Sequence, residues 1–109
     1  MQVTTSTSQD VLIIMYEGDL DTRTATQAEI ETNKFLKGYL KVVMNLQNTN
    51  FVSSAGLRVF LSTAKRLHAL DGTLRICNAN EIVSEILDKS GFSTIIDVRN
   101  DLLEALSDI

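Results

Sequence analysis

Short apolar runs alternate along the chain with longer stretches in which apolar residues recur every three or four positions. The predicted strand over 40–46 contains the continuous apolar run Val42-Val43-Met44, which is typical of a strand buried on both faces of a sheet. Weak alternation at the start, followed by turn residues at 8–10 and an apolar run, predicts an opening hairpin. The predicted strands cover residues 2–7, 11–16, 40–46, 73–77 and 94–98.

Four helices are predicted between and after these strands. The second has the clearest pattern, because Leu57, Phe60, Leu61, Ala64 and Leu67 follow one face of a helix that must pack inward. The predicted helices run from a cap at Asp21 or Thr22 to about 36, from the serines at 53 and 54 to about 70, from Asn80 to Gly91, and from 100 to 106.

The connections complete the predicted architecture. Residues 18–22 are predicted to end the second strand, and residues 47–50 are predicted to form a loop. Strands and helices alternate after the hairpin, so we expect an α/β fold with a mixed sheet of about four to five strands and about four packed helices.

The composition narrows the possible functions. A chain of 109 residues, 44% apolar and 22% charged, fits one globular domain over residues 1–109. The net charge of -4 argues against direct binding of nucleic acid, which requires clustered Lys and Arg. The N-terminus shows neither a signal peptide nor a membrane anchor, and no extra apolar face is apparent. We therefore expect a cytoplasmic monomer that does not bind a membrane.

Few residues are available for catalysis or for a cofactor. The single cysteine, Cys77, falls in a predicted strand and is interpreted as a core thiol. The single histidine, His68, lies fourteen positions after Ser54, which is about 21 Å along a helix and too far for a nucleophile and its base. No glycine-rich phosphate loop or metal-ligand pattern is present, so neither a catalytic residue nor a metal or other cofactor is expected.

The pair Ser53-Ser54 is the strongest candidate for function. Both serines fall at the start of the second predicted helix, where free backbone N–H groups and the helix dipole favour an anion. From the residues alone two uses remain open, a helix cap or a phosphate acceptor.

Four motifs, in this order, resemble those of STAS-domain anti-sigma factor antagonists, the bacterial regulators of partner-switching modules. They are Gly18-Asp19-Leu20-Asp21, the strand Val42-Val43-Met44-Asn45-Leu46, the segment from Phe51 to Leu57, and Ser90-Gly91-Phe92. The resemblance covers nearly the whole chain, although Ser53 stands where the family carries an aspartate. It implies a STAS domain without chemistry of its own.

The resemblance also implies the site and its partners. Ser54 matches the phosphorylated serine of the family, Asp21 a position near it that helps in partner contact, and Gly56 a glycine that would let a partner's backbone approach. With Ser54 as the acceptor, Ser53 is the better candidate for the helix cap. The expected partner-binding residues are Asp21, Ser53, Ser54, Ala55, Gly56 and Arg58.

The expected partners are an anti-sigma factor that is also a serine kinase and a PP2C-type phosphatase. The kinase binds the unmodified form, releases its sigma factor, and then uses ATP to phosphorylate Ser54; the phosphatase reverses this. Two alternatives remain. One is a constitutive STAS scaffold, such as a subunit of a transport or stress-sensing assembly in which Ser54 is only a helix cap. The other is a small enzyme.

Overall fold

The computed structural model describes all residues from 1 to 109 and contains six strands and four helices. The strands are β1 (Gln2–Ser8), β2 (Val11–Leu20), β3 (Lys41–Asn45), β4 (Thr49–Val52), β5 (Thr73–Cys77) and β6 (Asp97–Val98). The helices are α1 (Ala25–Phe35), α2 (Ser54–Ala69), α3 (Glu81–Lys89) and α4 (Leu102–Leu106). The predicted α/β fold with a mixed sheet is confirmed.

The sheet has the order β1-β2-β3-β5-β6, and β4 pairs with β2 outside this path. Only β1 is antiparallel to its neighbour; the pairs β2–β3, β3–β5, β5–β6 and β2–β4 are all parallel. The first part of β2 pairs with β3 in the register Val11↔Lys41, and its last residues pair with β4. Strand β2 therefore links the centre of the sheet to the segment that precedes α2.

Alternate residues of the central strands face opposite sides of the sheet, as the pleat requires. One side contributes Leu12, Ile14, Val42, Met44 and Ile76 to a core cluster of 20 buried residues that α1, α2 and α3 cover. The other side contributes Val11, Ile13, Val43 and Cys77 to a cluster of five, completed by Ala105 of α4. The prediction that Val42, Val43 and Met44 form the centre of a strand buried on both faces is confirmed, whereas Leu40 precedes β3 and is half exposed.

Two predictions about connections were wrong. Strand β2 does not end before Gly18 but continues to Leu20, with a register shift between Gly18 and Asp19. Gly18 adopts a φ of 111°, so this glycine accommodates a bulge instead of ending the strand. Part of the predicted loop over 47–50 belongs to β4, whose four residues, two polar and two apolar, are too few to form the apolar run that marks a buried strand.

The chain after α3 also differs from the prediction. The strand predicted over 94–98 shortens to Asp97–Val98, and a 3₁₀ turn, Phe92–Thr94, precedes it. Gly91 follows α3 in the left-handed region with a φ of 83°, as expected for a residue that ends a helix. The last helix begins at Leu102 with Asp101 as its cap, since the Asp101 carboxylate accepts a hydrogen bond from the N–H of Glu104 at 2.9 Å.

Candidate functional site

The start of α2 is fixed to the sheet by Ser53. Its backbone is extended, with φ -89° and ψ 179°, and its N–H donates to the carbonyl of Leu20 at 2.9 Å, which continues the pairing of β4 with β2. Its hydroxyl oxygen accepts a hydrogen bond from the N–H of Gly56 at 3.4 Å. Ser53 is thus the last sheet-bonded residue and also the N-cap of α2, as the sequence predicted.

Ser54 is the first residue of α2, and its environment is different. It is exposed, and its hydroxyl makes no hydrogen bond within the chain, because the capping role belongs to Ser53. The first turn of α2 contains no acidic residue that would repel an anion. A group attached to the Ser54 oxygen would therefore project into solvent beside the positive end of the helix dipole.

Gly56 lies below this surface. It is buried, and a Cβ added to it would lie 2.4 Å from the carbonyl oxygen of Leu20 and 2.9 Å from side-chain carbons of Leu20 and Val52. The absence of a side chain is therefore required by the close approach of α2 to the sheet. The sequence interpretation gave this glycine a role in admitting a partner; the structure supplies an internal reason for it.

Asp21 leaves the sheet beside Ser53, because the residues before them, Leu20 and Val52, are paired in β2 and β4. It does not cap α1, and neither does Thr22. The helix begins at Ala25 after Thr24, and the Asp21 carboxylate accepts from the N–H of Arg23 at 2.9 Å in a local turn. Burial raises the pKa of this carboxyl, but hydrogen bonds from Arg23 and its charge prevail, so the pKa lies below its ordinary value.

The other two predicted contact residues lie further along α2. Ala55 is half-buried and packs against the main core, whereas Arg58 is exposed and forms no ion pair. The structure thus brings the predicted residues to one corner of the molecule, where the ends of β2 and β4 meet the start of α2. The exposed ones are Ser54 and Arg58, with Asp21 and Ser53 partly accessible.

Two residues at this corner were not among the predicted contact residues. Phe51 in β4 is 41% exposed although it is aromatic and only three residues before Ser54. Asn80 is the cap of α3, as predicted, but its side-chain nitrogen also donates to the carbonyls of Thr49 and Asn50, both at 3.2 Å. Phe51 could have been found from an apolar residue in a polar segment, whereas no local pattern reveals the contact of Asn80 with β4.

The remaining candidate residues lie elsewhere. Cys77 is buried, and burial together with the charge of Asp101 raises the pKa of its thiol to about 11, which fits a core thiol. His68 is exposed near the end of α2. The structure contains no group of three or more His, Cys, Asp or Glu residues able to hold a metal ion. None of the helices combines the length and the apolar character needed to cross a membrane.

The sequence model of the STAS domain matches residues 2–105. The chain belongs to the STAS domain family. Among curated relatives of this STAS chain, BtrV of Bordetella bronchiseptica is 36% identical over 101 residues, covering 92% of this chain and 87% of BtrV; its name assigns it provisionally to the anti-sigma factor antagonists. The anti-sigma F factor antagonist of Paenibacillus polymyxa is 26% identical over 111 residues, covering 100% of this chain and 95% of that protein.

Solved structures of low sequence identity share the fold of this STAS chain. The Thermotoga maritima protein TM1081 superposes with a TM-score of 0.93 at 21% identity, covering 98% of this chain and 93% of that one. The anti-sigma factor antagonist SpoIIAA in its unphosphorylated form gives a TM-score of 0.79 at 18% identity, covering 96% and 93%. SpoIIAA has also been solved in a phosphorylated form, with a TM-score of 0.68.

Proposed function

We propose that this STAS protein is an anti-sigma factor antagonist that switches partners through Ser54. In its unmodified form it binds an anti-sigma factor that is also a serine kinase, and the kinase releases its sigma factor. The kinase then uses ATP to phosphorylate Ser54, which ends the complex, and a PP2C-type phosphatase restores the unmodified form. The family, the names of the curated relatives and the phosphorylated state known for SpoIIAA support this proposal.

The main support for the proposal is that the two serines have different environments. Ser53 caps α2 and bonds to the sheet, while the neighbouring hydroxyl of Ser54 is exposed and has no partner in the chain. A role for Ser54 as only a helix cap therefore has no support in the structure. Replacing the family's aspartate by Ser53 keeps the cap and leaves the acceptor serine free.

The electrostatics of the site indicate how the switch acts. A phosphate brings a charge of about -1.5 to -2, and at the N-terminus of a helix it is favoured by roughly 0.3 to 1 kcal/mol. The fold should therefore tolerate the modification. The same dianion buried in an interface without a dedicated cationic partner costs several kcal/mol, and each ~1.4 kcal/mol weakens binding tenfold. The switch thus acts on the partner surface and leaves the fold intact.

We infer that the protein acts by binding and not by catalysis, and that it works in the cytoplasm with its kinase. The predicted contact surface comprises Asp21, Ser53, Ser54, Ala55 and Arg58 at the corner described above. Gly56 contributes to this surface through the position it gives α2, because it is itself buried. The only histidine, His68, is about 21 Å from Ser54 along α2, too far to act as its base.

Incubation with the cognate kinase and ATP, followed by intact-mass measurement, tests the proposal. The wild-type chain and Ser53→Ala should gain one phosphate, whereas Ser54→Ala should gain none. Ser54→Asp should bind the kinase more weakly than Ser54→Ala, and both should melt within a few degrees of the wild type. An Asp variant that binds as tightly as the Ala variant, or that unfolds, contradicts the switch.

The same experiment distinguishes the switch from the alternative function. A constitutive STAS scaffold, for example in a transport or stress-sensing assembly, predicts stable partner binding, no added phosphate with any cognate kinase, and equal binding by the Ala and Asp variants. The hydroxyl of Ser54 makes no capping hydrogen bond, which favours the switch.

A further inference from the structure

Helix α2 is basic, although the chain as a whole is acidic. The chain has 14 acidic and 10 basic residues, yet the sequence from Ser54 to Ala69 contains Arg58, Lys65 and Arg66 and no acidic residue. Neither Arg58 nor Lys65 takes part in an ion pair within the chain. Their charges are therefore free to meet an external partner.

A partly apolar groove of about 620 Å³ runs along the C-terminal half of α2. Its apolar lining comes from Leu61 and Ala64 of α2, from Leu74 of β5, and from Ile95 and Ile96. Ile95 is 66% exposed, so its side chain is accessible to a ligand. The groove thus combines an apolar lining with access from solvent.

The unbalanced charge at this groove is positive. Lys65 lies at its rim on the α2 side. The one acidic residue in its lining, Asp97, is already occupied: its carboxylate contacts Arg99 at 2.6 Å and Arg75 at 3.2 Å. The pKa of Asp97 is lowered, chiefly by the hydrogen bond from Arg99, as expected for a carboxylate held by two guanidinium groups. A ligand in the groove therefore meets apolar walls and a free ammonium group.

The groove and the proposed switch share one face of α2. Ser54, Arg58, Leu61, Lys65 and His68 follow one another at spacings of four, three, four and three residues, which keeps them on a single stripe of the helix. The stripe is about 21 Å long, from the exposed hydroxyl at the N-terminus to the groove at the other end. A partner that contacts Ser54 can extend along the stripe into the groove.

We propose that this groove binds an acidic, apolar segment of a partner protein. An apolar side chain of the segment packs between Leu61 and Ile95, and its carboxylates face Lys65 and Arg58. Charge complementarity favours an acidic segment, because a basic or neutral segment would leave Lys65 and Arg58 without a partner. The proposal goes beyond the Ser54 switch and rests on it in one respect only: a phosphate on Ser54 would lie on the same stripe and repel the acidic segment.

The test uses the unphosphorylated full chain without any kinase, so its outcome is independent of the Ser54 experiment. The probe is a short peptide in which leucine alternates with glutamate, titrated into ¹⁵N-labelled protein and followed by amide chemical shifts. A peptide with lysine in place of glutamate is the matched comparison. The glutamate peptide should shift the amides around Leu61, Ala64, Ile95 and Ile96, and the lysine peptide should bind much more weakly.

Two variants locate the contact. Lys65→Glu should weaken binding of the glutamate peptide about tenfold, because attraction becomes repulsion at the groove rim. Ile95→Ser should weaken binding of both peptides without affecting the fold, since this side chain is mostly exposed. Lys34→Glu, the same charge reversal at an exposed lysine of α1, is the control and should leave binding unchanged.

Three results would overturn the proposal. They are the absence of shifts in the groove with the glutamate peptide, equal affinity of the two peptides, and equal weakening by Lys65→Glu and Lys34→Glu. Groove shifts that appear on concentrating the protein alone would instead assign the groove to a second copy of this chain, which also overturns it.

Discussion

The two faces of the sheet are covered in different ways. On one face, α1, α2 and α3 bury a cluster of 20 residues by close apolar packing. On the other, the five-residue helix α4 covers a cluster of five. A polar clamp holds this second cover in place: the buried guanidinium of Arg75 donates to the carbonyls of Ala105, Ser107 and Asp108 at 3.0, 2.7 and 3.3 Å.

The proposed switch lies on the tightly packed side of the sheet. Helix α2 is fixed so closely to the sheet that no methyl group fits at Gly56, which gives the exposed Ser54 a rigid base. The α4 side depends on a few hydrogen bonds to one cation, so a local change there can release a whole element. In the proposed switch, a phosphate on Ser54 would change the surface above a tightly packed helix and leave the core undisturbed.

The largest expected effect comes from Gly56→Ala, which tests the packed face. The added Cβ would lie 2.4 Å from the Leu20 carbonyl oxygen, so α2 must shift, and we expect a loss of about 3 kcal/mol in the free energy of unfolding. Helix propensity alone predicts the opposite sign, a gain of about 1 kcal/mol. Urea denaturation measures the difference.

The control for this prediction is Gly38→Ala. Gly38 has a φ of 86° and no atom within 4 Å of an added Cβ, so only backbone strain of about 1 kcal/mol is expected. If Gly56→Ala proves as stable as the wild type, the tight contact between α2 and the sheet is wrong.

The clamp on the other face is tested by Arg75→Met, which keeps the length of the side chain and removes its charge. Unsatisfied carbonyls near the end of α4 should reduce the free energy of unfolding by about 2 kcal/mol. The loosened helix should also expose Cys77, so alkylation of this thiol should become faster than in the wild type. Arg99→Met, which removes the more exposed arginine beside Asp97, should leave the thiol protected.

A smaller difference in stability is expected between alanine variants of the two serines, because only Ser53 caps α2. Ser53→Ala removes the acceptor of the Gly56 N–H and should cost about 1 kcal/mol of stability. Ser54→Ala should change stability by less than about 0.5 kcal/mol, because the Ser54 hydroxyl has no partner. Thermal melting of the two variants side by side measures both; a larger loss at Ser54 would reverse the assignment.

The smallest effect concerns acid stability at Asp97, which pairs with Arg75 of the clamp. Hydrogen bonding from Arg99 lowers the pKa of this carboxyl in the folded state. The contribution of Asp97 to the free energy of unfolding is therefore complete above the ordinary pKa of an aspartate. It is lost as the pH falls through the lowered pKa of the folded state. Asp97→Asn should reduce the fall in the free energy of unfolding at acidic pH, measured by urea denaturation at several pH values. Asp10→Asn, at an exposed carboxylate with one lysine partner, should change this fall less.

Much of this fold could be predicted because its signals are local. The continuous run at Val42, Val43 and Met44 identified a strand buried on both faces, and the spacing of Leu57, Phe60 and Leu67 identified the inward face of α2. The caps at Ser53 and Asn80 were also correct, since capping depends on a residue and the three that follow it.

The missed features depend on residues far apart in the chain. Strand β4 is short and begins with two polar residues, and only its pairing with the end of β2, past the bulge at Gly18, makes it a strand. Asp21 looked like a helix cap, but its carboxylate is used in a turn with Arg23. Nothing local distinguishes Arg75 from a surface residue of a strand.

By itself the sequence determined the order of the four helices and of five of the six strands, the main buried strand, the helix that begins at the serine pair, and the family motifs. These follow from periodicity and capping, which act over a few residues. Only the tertiary structure decided that Gly56 must be a glycine and that Arg75 holds the C-terminal helix. Both depend on distances between segments that only the folded chain brings together, such as α2 against Leu20 and β5 against α4.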